Sequence, residues 1–141
     1  MSKGRGETEN REKREMNKQD VKYDLEDRLI DFAAMVIDLV EALPNTRTGN
    51  YVANQLVRSG LSPAPNYGEA QSAESRKDFV HKMKIALKEL KESRVWLRII
   101  RRKSLIEPGP AMDTAFAECE ELIRIFGKSI STAESRMARH E

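Results

Sequence analysis

The chain has 141 residues, with 25 Lys+Arg against 23 Asp+Glu, 39% hydrophobic and 34% charged residues. That length is one ordinary domain that buries roughly two-thirds of its unfolded surface, enough for a core without disulfides or metal. Seven Gly, five Pro and a single Cys exclude collagen-like, mucin-like, linker and disulfide-scaffold classes and any Cys-based zinc site. The longest unbroken apolar run, Phe32–Ile37, is far short of the about 20 residues of a spanning helix. No apolar h-region opens the chain, so a cytoplasmic location is expected.

Residues 1–22 mix Lys, Arg, Glu, Asn and Gln without an apolar stripe and read as a solvated tail. Arg11–Glu15 offers a weakly favourable i,i+4 pair there. The rest, 23–138, reads as four amphipathic helices. The first spans about 24–43. Leu25, Leu29, Phe32, Val36, Leu39 and Leu43 fall at steps of three and four and mark one face. Ile30, Ala33, Ile37 and Val40 widen that stripe, enough for more than one neighbour. Pro44 and Asn45 stop the helix.

The second helix is expected over about 49–73. It is rich in small residues, and Pro63 and Pro65 predict a kink between Gly60 and Asn66. The third, about 74–104, has a seam of Phe79, Met83, Ala86, Leu90, Leu97 and Ile100, in which Ser93 is the one polar step. Glu107-Pro108-Gly109-Pro110 is a turn, and the last helix follows over about 110–137. Gly127 is a candidate bend within it. No segment alternates with period two. Four such helices with short connections predict an all-α, antiparallel up-and-down four-helix bundle.

The near-neutral total hides segregated charge. Residues 25–43 carry five acidic groups and one basic, 76–103 carry 11 basic and three acidic, and 104–141 carry seven acidic and four basic. Within the third helix, Lys77, Lys84, Lys91 and Arg98 recur every seven residues, and His81, Lys88 and Arg102 fill i+4 positions. On a helix these seven form one ridge, broken by Val95 and flanked by Arg94 and Arg101. Three readings fit: a surface for nucleic-acid phosphates, a face that pairs with acidic helices of neighbouring subunits, or a solvated face. The first is favoured, because a merely solvated face more often intersperses Glu and Asp. Trp96 sits one position off the seam and is read as an anchor between helices or subunits. With no aromatic ladder, the expected contacts are to backbone and shape, in RNA or DNA.

Other constellations fail on spacing. Asp78-x-x-His81 is half of a di-iron motif, but the only other His, His140, is preceded at i−3 by Met137. Gly127-Lys128-Ser129 imitates the end of a P-loop, but Leu122 stands where its first glycine belongs. Cys119 lies on the apolar face of the last helix and reads as a small buried hydrophobe. No metal or cofactor is expected. The small residues Ala53, Gly60, Ala64, Gly68, Ala70 and Ala73, with the wide first stripe, favour homo-oligomerisation.

Several blocks carry a family resemblance: Tyr51–Ser59, Asn66–Gln71, Glu74–Lys82, Ala86–Glu89 and Glu92–Leu97. Over about 25–127 the chain resembles the bacterial four-helix-bundle family encoded in intervening sequences of 23S rRNA genes. The accessory variability protein of diversity-generating retroelements is similar to it too. Pro65 directly before Asn66 departs from the single proline usual in that stretch. The resemblance implies a protomer that assembles into a homopentameric ring, a basic surface for nucleic acid, and no enzymatic activity. In the retroelement setting the partner is a reverse transcriptase, and no membrane is involved. Asn54, Arg58, Asn66, Glu69 and Glu89 are polar residues within these blocks, read as a structural network that fixes register or subunit packing. On a continuous helix Arg58 and Glu69, eleven residues apart, would align.

Overall fold

The computed structural model describes residues 25–139. The expected N-terminal tail, Arg11–Glu15 and His140 lie outside the described residues. The described chain is all-helical, without a strand: α1 covers 25–42, α2 Arg47–Leu61, α3 Pro63–Gln71, α4 Arg76–Arg102 and α5 Pro110–Arg139. No helix among the described residues is long and apolar enough to cross a membrane.

The turn from α1 to α2 is built by Thr46. Its hydroxyl accepts the Gly49 N–H at 3.0 Å and caps α2. Gly49 is buried there, and a Cβ on it would stand 2.0 Å from the Pro44 carbonyl oxygen.

The second predicted helix is interrupted at Ser62, so α2 and α3 are two segments of one rod. Ser62 keeps helical angles (φ −66°, ψ −36°), and the Asn66 N–H still reaches the Ser62 carbonyl at 3.2 Å. Pro63 and Pro65 each lack the N–H that would continue the ladder, so helical hydrogen bonding lapses at this junction. Asn66 adds its side-chain amide to the Ser62 carbonyl and hydroxyl, at 3.0 and 2.9 Å.

Four rods therefore pack together. α4, the third in chain order, contacts α5 on one edge and α2 and α3 on the other. Paired residues give the directions: Tyr51 meets Trp96, Ser59 meets Ser93, and Glu69 meets Lys82, so α2 and α3 run antiparallel to α4. Arg94 meets Glu120 and Lys84 meets Glu134, so α5 does too. α1 is tied to α5 by a two-pronged Arg28–Glu118 pair at 2.9 and 3.3 Å. α5 runs unbroken through Gly127, the candidate bend, where a Cβ would meet nothing within 4 Å.

The core joins Phe32 and Val36 of α1, Leu56 of α2, Leu90 and Leu97 of α4, and Leu122 and Phe126 of α5, all fully buried. Tyr67 of α3 meets Phe126 edge-on, with ring centroids 6.0 Å apart. Burial pushes the Tyr67 hydroxyl up, aided by the Glu26 carboxylate. Cys119 is buried in the same core, and burial is the main cause that pushes its thiol up to about 12. The polar step at Ser93 is satisfied: its hydroxyl lies 2.9 Å from the Ser59 hydroxyl and 3.0 Å from the Glu89 carbonyl. Two buried serines facing each other let α2 and α4 approach closely.

The α1–α2 contact depends on Gly60, where a Cβ would lie 2.7 and 2.8 Å from the Val36 methyls. Gly60→Ala therefore overpacks a branched, fully buried neighbour. We expect a loss of about 1–3 kcal/mol, measured by denaturant unfolding. Adding Val36→Ala removes the clash, so the double variant should lose less than the two single losses together.

Candidate nucleic-acid interface

α4 starts cleanly. The Ser75 hydroxyl accepts the Asp78 N–H at 3.1 Å, and Asp78 places a negative charge at the positive end of the helix dipole. At the other end Ser104 takes a left-handed conformation (φ 49°). The Leu105 N–H then reaches back to the Ile100 carbonyl at 3.0 Å and closes the last turn. Between these caps Met83, Ala86, Leu90, Leu97 and Ile100 face the core.

A helix that buries that seam must present the opposite positions to solvent. Lys77, His81, Lys84, Lys88, Lys91, Arg98 and Arg102 are all exposed along one outward ridge. From Lys77 to Arg102 the ridge is about 38 Å long at 1.5 Å per residue. Among the described residues, no carboxylate is within ion-pair distance of Lys77, His81, Lys88, Lys91, Arg98 or Arg102. Lys84 alone on the ridge has a partner, Glu134 of α5 at 3.5 Å, in an exposed pair that contributes about 0–1 kcal/mol.

The flanking cations are held differently. Arg94 is half-buried and turns to Glu120 at 3.6 Å. Arg101 pairs with Asp113 at 3.5 Å and lies over the Phe116 ring at 4.2 Å. Both belong to the α4–α5 edge and stand beside the ridge.

On the other edge, the polar residues separate into distinct contacts. Arg58 pairs with Glu89 at 3.4 Å and with Glu92. Glu69 accepts from Lys82 at 2.7 Å. Arg58 and Glu69 thus reach different partners on α4. Asn66 serves the α2–α3 junction, and Asn54 is exposed. Trp96 packs on this side too, edge-on to Tyr51 at 6.0 Å between ring centroids.

The result is a stripe of cations whose neighbouring glutamates on α4 are already engaged. Glu89 and Glu92, the only carboxylates of α4 besides Asp78, are both taken by Arg58. A polyanion laid along α4 would meet positive charge without a competing carboxylate on the ridge. The seven-residue spacing already sets Val95 on the ridge as its apolar step, and it is exposed there. The packed bundle adds Ile99, exposed on the same outward face, which the spacing does not single out.

The profile of the 23S rRNA-intervening sequence protein family matches residues 22–128. The chain belongs to that family. A solved structure of a protein of unknown function from the S23 ribosomal protein family of Bacteroides thetaiotaomicron is 30% identical. The match covers 75% of this chain and 97% of that one, with a TM-score of 0.69. None of the curated proteins compared with the chain matches it.

Proposed function

We propose that this member of the 23S rRNA-intervening sequence protein family is a non-catalytic, cytoplasmic, ring-forming protein that binds the backbone of RNA or DNA along α4. The observation that carries the reading is the straight row of exposed cations on one helix face, six of them without a carboxylate partner among the described residues. Phosphate charges recur every about 1.7 Å along a duplex axis, so a rod of this length spans many of them. Few aromatic groups stand on the ridge, so recognition is by charge and shape, with little reading of base edges.

The test is a binding titration with duplex and single-stranded probes at several salt concentrations. Four engaged cations predict a log-log slope of about −3.6 on duplex DNA, at about 0.9 per neutralised phosphate. Changing Lys84, Lys88 and Lys91 to Glu should abolish binding and leave the oligomer intact. Unchanged affinity sinks the reading.

The homopentameric ring proposed here follows the family resemblance, supported by the exposed apolar groups of α1 and α4. Light scattering should return a mass near five protomers of 16.1 kDa. A monomer at micromolar concentration refutes the ring. A second reading, a scaffold for another protein such as a reverse transcriptase, is favoured by the exposed acidic and apolar face of α1. A pull-down of that partner that survives the three Lys→Glu changes supports it.

A further inference from the structure

Among the described residues, five large hydrophobic side chains are left in water, and they fall on two separated faces. Ile30 (52% exposed) and Ile37 (43%) lie one heptad apart on α1. Ala34, exposed between them, completes a short apolar strip. Tyr51 of α2 (58%), with Val95 (50%) and Ile99 (37%) of α4, form the second face. Trp96 stands beside Ile99 and packs against Tyr51, so this face has an aromatic centre.

The rims carry opposite charge. Asp27, Asp31 and Asp38 are exposed along one side of the α1 strip, and Glu41 continues it. Arg98 and Arg102 border Val95 and Ile99, and the four residues enclose a shallow hollow. An apolar centre of one partner meets an apolar centre of the other, and an acidic rim meets a basic one. That is the anatomy of a specific interface, and aromatic and Arg residues are those that most often carry its energy.

The two faces also point away from each other. α1 is tied to α2 through Val36 and Gly60 and to α5 through Arg28 and Glu118, while α4 lies between α2 and α5. α1 and α4 thus occupy opposite corners of the bundle, each with its exposed face outward. One protomer cannot join its own two faces. A second copy can, and unlike faces on opposite sides give a head-to-tail contact that closes into a ring or continues as a filament.

We propose that α1 of one copy docks its Ile30–Ile37 strip on the Tyr51, Val95 and Ile99 face of the next copy, with its aspartates on Arg98 and Arg102. This inference rests on the self-association in the reading above and adds the surfaces that carry it. It also divides the basic ridge. Arg98 and Arg102 belong to the contact between copies, and Lys77, His81, Lys84, Lys88 and Lys91 remain the open track for a polyanion.

Cysteine pairing tests the contact directly. Cys119 is buried with its thiol pushed up to about 12, so it stays out of the reaction. The full chain carrying both Ile37→Cys and Ile99→Cys should, on mild oxidation, give a ladder of covalent multimers on non-reducing denaturing gels. Mixing the two single variants should give a covalent dimer, and neither alone should. Self-crosslinking of Ile37→Cys alone overturns the head-to-tail arrangement. Failure of the double variant to crosslink, while light scattering still reports an oligomer, overturns this interface and leaves self-association standing. As a second readout, Ile37→Asp and Ile99→Asp should each move the light-scattering mass to that of the protomer without loss of helical circular dichroism. An undiminished mass for both also overturns the proposal.

Discussion

The apolar seam of α4 is held between α5 on one edge and α2 and α3 on the other, and the outward ridge follows from that grip. Burying Leu90 or Leu97 contributes about 1.5–3 kcal/mol each. Like charges at i,i+4 cost only about 0.2–0.5 kcal/mol per pair. The seam therefore wins, and the helix tolerates a row of cations that would weaken it in isolation. The Ser75 cap and the left-handed turn at Ser104 close the two ends of the helix that carries the row.

The same two edges decide which charges remain available. Carboxylates of α5 take Arg94 and Arg101, and Glu69 of α3 takes Lys82. In the other direction, Arg58 of α2 takes the glutamates of α4. Each exposed pair contributes little stability, but together the pairs sort charge by face. The basic potential concentrates on the ridge, and the exposed aspartates of α1 lie at the opposite corner of the bundle. Net charge then describes an average that no approaching molecule meets.

Much of this is legible in the residues. The all-helical class follows from the 3.6-residue spacing and the lack of alternation, and Pro63 and Pro65 mark where the second rod loses its ladder. The ridge is legible because every member lies on one helix, where spacing alone places side chains. What is not legible depends on how one helix is rotated against another. Whether Arg94 points to solvent or to Glu120 is decided by the α4–α5 packing, across residues far apart in sequence. Arg58 and Glu69 align on paper, yet each reaches across to its own partner on α4. The wide stripe of α1 reads as a face for more than one neighbour. Only the packed bundle shows that Phe32 and Val36 are covered while Ile30 and Ile37 are left over.

Lysine reactivity tests the central claim most directly. Acetylation of the protein, alone and with a duplex RNA or DNA, reports each exposed lysine separately in the same molecule. The α4 ridge predicts that Lys77, Lys84, Lys88 and Lys91 become protected by the polyanion, while Lys128, exposed on α5, keeps its reactivity. Equal protection of Lys128, or none along α4, would contradict the assignment of the ridge.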